Sequence, residues 1–227
     1  MRRLLIGSLT AAMVIISSSQ MLFAAPASTN KTAAVVKRFP PVDECLHLDG
    51  YFDLRQKFEG IVQRRDATSL IAMLSPNISW SFGGDEGKTA FIENWKLKSG
   101  KASPIWAELD KIVRLGCTSD NAGIVMPHVF SQDPGTGDAG AGAALVLGPE
   151  VKLRAGPSTA SAQKALMNWN VVMLGDQDPT GKWTAVTTQD GKTGYIRNDY
   201  LRNFLDYRIS FERLPKGWQI NFFIAGD

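Results

Sequence analysis

The sequence predicts a mixed α+β protein in which a small all-β unit interrupts a larger body of helices and sheet. Three observations carry this reading. Residues 45–147 repeat apolar side chains at helical spacing and hold few strand-like runs. Beyond Pro149 the texture changes to short strand-like runs divided by turn residues. From Tyr207 onward the chain alternates apolar and polar residues in two long runs joined by Pro215-Lys-Gly217.

The chain begins with Arg2 and Arg3, then the mostly apolar run Leu4 to Phe23, then Ala25-Pro-Ala27. A positive front, an apolar core and small residues at a cleavage position predict a secretory signal over residues 1–27, cut after Ala27. Its core, Leu4 to Ile16, falls short of the ~20 apolar residues of a spanning helix. The expected location is the periplasm or the exterior. Residues 28–41 are polar, small and basic, and read as a flexible leader that ends at Pro40 and Pro41.

The formal charge of +3 is reduced by removal of the signal, which carries two of the 25 basic residues and leaves 23 against 22 acidic ones. No basic stripe is visible, which argues against nucleic acid as a partner. Cys45 and Cys117 are the only cysteines. In an exported chain an even, small number predicts one disulfide.

In the first body, Leu54, Phe58, Ile61 and Val62 mark one helix face. Asp66 or Thr68 caps a second helix through Leu70, Ile71 and Leu74, which Pro76 stops. Ile78, Trp80 and Phe82 alternate as the buried face of a strand. Lys88 to Lys98 reads as a helix, and Pro104 opens another with Ile105, Leu109, Ile112 and Val113 inward. Ile124 to Phe130 reads as a strand, placed at an edge or a bulge by Pro127. A short strand, Ala143 to Leu147, leads into the second unit.

That unit shows runs at Val151–Ala155, Trp169–Leu174, Trp183–Thr187 and Thr193–Arg197. Gly156-Pro157, Asp178 to Gly181 and Asp190-Gly191 separate them. Short, evenly spaced strands imply a small barrel or sandwich. The final hairpin alternates Tyr207, Ile209 and Phe211, then Trp218, Ile220, Phe222 and Ile224. An apolar strand pair left exposed invites aggregation. It is therefore expected to return and complete the sheet of the first body, making the chain 42–147 plus 204–227 around an inserted unit at 148–203.

Val151-Lys-Leu-Arg154 with Gly156-Pro-Ser158, Trp183, Gly191-Lys-Thr-Gly-Tyr-Ile196 and Tyr200-Leu201 resemble a bacterial SH3-type (SH3b) domain. The resemblance implies a small all-β SH3-like barrel of a kind that often contacts cell wall in exported bacterial proteins. The helical start, Ser81 to Gly87, Phe91, Trp95 and the closing Gly217-Trp218 to Gly226-Asp227 resemble the NTF2-like cone fold. Together they imply an α+β NTF2-like domain carrying an SH3-like barrel, as in uncharacterised exported bacterial proteins. A cone fold hosts enzymes, binding modules and assembly domains alike, so it implies no function alone.

The candidate ligand-binding residues are Arg154, Trp169, Trp183 and Tyr200. Arg154 faces away from Leu153 on its strand, and the aromatic rings offer flat stacking surfaces, although such rings also fill barrel cores. No catalytic residue, metal site or cofactor is expected. Cys45 and His47 lack a second ligand pair for zinc. Gly83 to Gly87 lacks the acid spacing of a calcium loop and reads as a turn. The expected activity is non-enzymatic binding or scaffolding of peptidoglycan or an envelope protein, with the cone-like body supplying a pocket or a homodimer surface. One rival is a hydrolase or lyase using His128 with Asp85 or Glu86 in the cone cavity. Another is a purely structural envelope protein with a broad apolar surface.

Overall fold

A computed structural model describes residues 36–120, 123–137, 140–215 and 217–226. These residues form four α-helices and two β-sheets, a mixed α+β fold. The expected signal, residues 1–27, lies outside them. No helix among the described residues is long and apolar enough to cross a membrane.

A two-residue strand β1 (Val42–Asp43) leads through a 3-10 turn into α1 (Tyr51–Arg64). Tyr51, Leu54, Phe58, Ile61 and Val62 form its buried stripe, with the spacing of one helical face. Arg65 ends it in the left-handed region, its N–H reaching the Ile61 and Val62 carbonyls. Asp66 then caps α2 (Ala67–Met73), its carboxylate accepting from the Ser69 N–H at 3.0 Å and the Ser69 hydroxyl at 2.6 Å. The chain passes at once into β2 (Leu74–Ser79). Pro76 thus lies in a strand and stops no helix. β2 is an edge of its sheet, where a missing N–H breaks no ladder.

α3 (Lys88–Asn94) is shorter than expected: Trp95 closes it and Lys96, at φ 49°, turns left-handed before a 3-10 segment. Pro104 opens α4 (Ile105–Ile112), which buries Ile105, Trp106, Leu109 and Ile112. β3 (Gly116–Asp120) and β4 (Gly123–Met126) form an antiparallel pair. β4 ends at a cis Met126–Pro127 bond, and His128–Ser131 is a 3-10 turn, so the strand read through Phe130 stops four residues early.

The next seven strands form the second sheet: β5 (Ala143–Val146), β6 (Val151–Arg154), β7 (Gln163–Met167), β8 (Val171–Gln177), β9 (Trp183–Thr188), β10 (Thr193–Arg197) and β11 (Leu201–Asn203). Their order is β11-β5-β8-β9-β10-β6-β7. β5 belongs to this sheet, paired to both β8 and β11. β7 is an edge strand, exposed or half-buried up to its buried Met167, and its Gln-Lys-Ala-Leu-Met run gives no alternation signal. Val151, Leu153, Met167, Val172, Val186 and Ile196 pack on one another along the inner face.

The chain closes with β12 (Arg208–Leu214) and β13 (Gly217–Ile224). These two strands lie between β4 and β2 in a six-stranded sheet ordered β1-β3-β4-β12-β13-β2. The hairpin is not regular. Phe211 faces Ile220 while Ser210 faces Phe222, so Asn221 is an extra residue on β13. The bulge changes the alternation, so that Phe223, not Phe222, joins Ile220 in the core. Phe58 meets Phe211 edge-on at 5.0 Å, and Tyr207 stacks on Phe223 at 4.8 Å. Phe82, expected inside, is 56 % exposed, because β2 has ended and the turn at 81–87 carries it outward beside Arg208.

The described part of the leader is not free. Its Lys37 N–H donates to Gln189 Oε1 at 2.6 Å, its Lys37 ammonium pairs with Asp133 at 2.8 Å, and Phe39 packs edge-on against Phe204. Residues 36–39 therefore cross the seven-stranded sheet before β1 joins the other. Arg202, buried on β11, donates to the Asp206 carboxylate and the Tyr207 carbonyl, tying that sheet to the start of β12.

Cys45 and Cys117 form a disulfide with Cα atoms 6.1 Å apart. It anchors the turn after β1 to β3, which β1 meets in parallel register, Val42 against Gly116. The close approach needs Gly116: a Cβ there, at φ +72°, would stand 1.8 Å from the Val42 carbonyl oxygen. The bridge closes a loop of 72 positions, for which chain entropy predicts about 4 kcal/mol of stabilisation. Paired Cys45→Ser and Cys117→Ser changes are expected to lower stability by about that amount in denaturant titration. Gly116→Ala is expected to cost about 1–3 kcal/mol through its backbone conformation and to displace β1, seen as lost amide protection at Val42 and Asp43.

Candidate functional site

The outer face of the seven-stranded sheet carries a groove of about 320 Å³. Its lining includes Arg154, Trp183 and Tyr200, three of the four residues singled out from sequence, with Lys152, Arg197 and Glu150 beside them. Alternation explains the gathering. On β6, Val151 and Leu153 turn inward, which leaves Lys152 and Arg154 outward. On β10, Gly194 and Ile196 are buried and Arg197 is exposed. Antiparallel register sets Arg197 against Trp183 of β9 and Tyr195 against Arg154 of β6. Gly194 permits the close approach of β6 and β10, since a Cβ there would stand 2.6 Å from the Arg154 carbonyl oxygen.

Loops fix the remaining parts. Asp178 Oδ1 accepts from the N–H groups of Lys182 and Trp183 at 2.9 and 2.8 Å, which sets the start of β9. Those bonds and the Thr180 hydroxyl hold the Asp178 carboxyl below the usual range, with the hydroxyl foremost. Tyr200 ends a 3-10 turn whose Asn198 is bound on three sides: it accepts from Thr184 Oγ1 at 2.7 Å, donates through Nδ2 to the Gly181 carbonyl at 2.8 Å, and through its N–H to the Lys182 carbonyl at 2.9 Å. The Tyr200 ring, 42 % exposed, lies 5.7 Å from the Arg197 guanidinium. Trp183 is only 8 % exposed and forms a wall of the groove. Arg154 donates to the Ser161 carbonyl at 2.8 Å, which orients its guanidinium.

Trp169 does not join them. It belongs to a separate cluster with Phe39, Leu147, Val171 and Phe204, to which the expected leader contributes Phe39. Its carbonyl accepts the Phe39 N–H at 2.9 Å. Lys152 and Arg197 were missed, although the period-two pattern of β6 and β10 places both outward.

A larger polar cleft of about 610 Å³ lies between α1 and α4. Two of its guanidinium groups are already engaged: Arg55 with Asp43 and Glu59, and Arg65 in a paired contact with both oxygens of Asp110. Asp43, Cys45 and Cys117 cluster nearby, but the two sulfurs bond to each other and offer no thiolate.

His128 is buried, with Nε2 3.1 Å from Glu44 Oε1. Its carboxylate partner is thus Glu44, on the turn that carries Cys45, and not Asp85 or Glu86. Asp85 is tied into its own turn, where it accepts from Ser81 Oγ at 2.8 Å. Glu44 Oε2 accepts from Thr118 Oγ1 at 2.9 Å, beside Cys117. The Thr118 hydroxyl first, then His128, lowers the Glu44 carboxyl below its ordinary 4.5. An acid depressed by folding adds stability above its unfolded pKa and loses it as pH falls through the folded value. Glu44→Gln is therefore expected to lower the melting temperature slightly at neutral pH, by little because Glu44 is exposed, and to converge with wild type as pH falls below about 4.5, so that its curve is the flatter one. A melting series from pH 7 to pH 3 on both proteins measures it.

No protein-family model, no curated protein and no solved structure matches this chain.

Proposed function

We propose that the protein is an exported, non-enzymatic binding or scaffolding protein whose seven-stranded unit is SH3-like and holds peptidoglycan or a wall-associated peptide in the Trp183–Tyr200 groove. The carrying observation is convergence: Arg154, Trp183 and Tyr200, from three separate segments, line one groove with Lys152 and Arg197. Its size falls at the low end of ligand pockets, at roughly 300–1,000 Å³, and suits a short segment of a longer chain. A partly exposed tyrosine, an indole wall and fixed donors suit stacking and hydrogen bonding. In this reading the six-stranded sheet and its helices are an NTF2-like body that supports the groove and presents the rest of the assembly. The N-terminal segment delivers the protein outside the cytoplasm.

Co-sedimentation of the full chain with purified insoluble peptidoglycan tests the reading. Wild type is expected in the pellet. Tyr200→Ala, which removes an exposed ring, is expected to weaken retention about ten-fold with an unchanged melting temperature. Wild-type protein that stays in the supernatant at every wall concentration sinks the proposal.

A further inference from the structure

Resting on that reading, we infer that the groove selects peptides carrying free carboxylates, with Lys152, Arg154 and Arg197 as the charge-recognising side chains. The lining is dominated by donors. Among the described residues, the Lys152 ammonium makes no hydrogen bond or ion pair, and neither the Trp183 indole N–H nor the Tyr200 hydroxyl has a partner. Arg154 spends one N–H group on Ser161 and keeps others for a ligand. Glu150 is the only acidic side chain in the lining. A surface rich in donors and poor in acceptors recognises a ligand rich in acceptors.

Charge narrows the class further. Arg197 pairs with Asp199, but both side chains are solvent-exposed, at 44 % and 67 %, so this pair is weak and easily exchanged. Tyr195 stands against Arg154, and Lys152 and Arg197, each two positions away along its strand, line the same groove. Like charges lining one groove repel each other. A carboxylate lying between them removes that cost and gains charge-assisted hydrogen bonds, two in parallel where it meets a guanidinium fork. The aromatic groups supply the apolar floor for the rest of the peptide. The chain is nearly neutral outside residues 1–27, so the three cations are a local concentration and not a sample of overall charge.

The test is calorimetric titration of the full chain with a soluble wall-type tetrapeptide bearing free carboxylates, and with the same peptide fully amidated. The free form is expected to bind about ten-fold or more tightly, the weight of a hydrogen bond to a charged group. Lys152→Gln with Arg197→Gln, both at exposed positions, is expected to abolish that preference, so that the ratio of the two affinities falls to about one. Equal affinity for the two peptides, lost in Tyr200→Ala, overturns carboxylate selection and leaves the groove reading standing. Binding of neither peptide, with wild type still retained on peptidoglycan, also overturns it. Failure of both peptides and of peptidoglycan removes the proposed function itself.

Discussion

The structure depends on one non-local pairing: β12 and β13 lie between β4 and β2. β2 has no other strand neighbour in its sheet. Until residues 208–224 arrive, β2 has no strand partner and β4 lacks its second one, while Phe58, Phe91 and Trp95 lack the rings of Phe211 and Phe223 that they meet in the folded chain. The entropy of closing so long a connection grows only as the logarithm of its length, roughly 0.6 kcal/mol per doubling. A separate sheet between the two halves is therefore a modest entropic burden, and it is smaller still if that sheet has already formed and drawn its ends together. β5 and β11 pair with each other at those ends, Val146 against Leu201, which brings the entry and exit of the seven-stranded sheet side by side.

A second constraint acts at the other edge. β1 holds only two residues and could not stay paired by its own ladder. The Cys45–Cys117 bridge and the contact at Gly116 keep it against β3. Tyr51 adds to this, its hydroxyl donating to Asp43 Oδ2 at 2.9 Å, and its burial beside that carboxylate holds its own pKa far above the usual phenol value. The segment before β1 meets the other sheet through Lys37 and Phe39. One stretch of ten residues, 36–45, thus touches both sheets. Reduction of the disulfide would release its hold on β3 without removing its contacts to Gln189 and Phe204.

Legibility in the sequence followed the strength of local periodicity. The stripe of α1, the Asp66 cap and the Pro104 start were readable because each depends on side chains a few positions apart. The turn at 81–87 was readable from its glycines, and Gly84 and Gly87 indeed take positive φ. What escaped depended on tertiary context. Asn221 gives no local warning of a bulge, so Phe222 was placed where Phe223 lies. Lys96 in the left-handed region shortens α3 against its own apolar pattern. Trp169 reads as a stacking surface because nothing near it in sequence foretells the cluster it joins with Phe39 and Phe204. Glu44 could not be read as the partner of His128, from which it is separated by more than eighty positions. The candidate groove was partly legible for the same reason: Arg154, Trp183 and Tyr200 are conspicuous types, whereas Lys152 and Arg197 acquire meaning only through strand register.

The two parts of the chain differ in how their charges are used, and this bears on where a ligand can act. Around α1 and α4 two arginines are consumed in the fold: Arg55 is held by Asp43 and Glu59, Arg65 by Asp110, with Trp106 beneath it at 5.9 Å. Both arginines consequently sit above the ordinary arginine pKa, first through their hydrogen bonds to carboxylates. A ligand that met Arg55 or Arg65 would have to displace a carboxylate already in place, and its gain is the difference between two similar contacts. In the groove of the seven-stranded sheet the order is reversed. The backbone and loop bonds of Asp178 and Asn198 carry the rigidity, and they do so without using Lys152, the Trp183 indole N–H or the Tyr200 hydroxyl. The framework is satisfied, while Lys152, the Trp183 indole and the Tyr200 hydroxyl keep their donors free. A ligand there adds contacts without breaking structural ones, and little of its binding energy is spent on ordering the site.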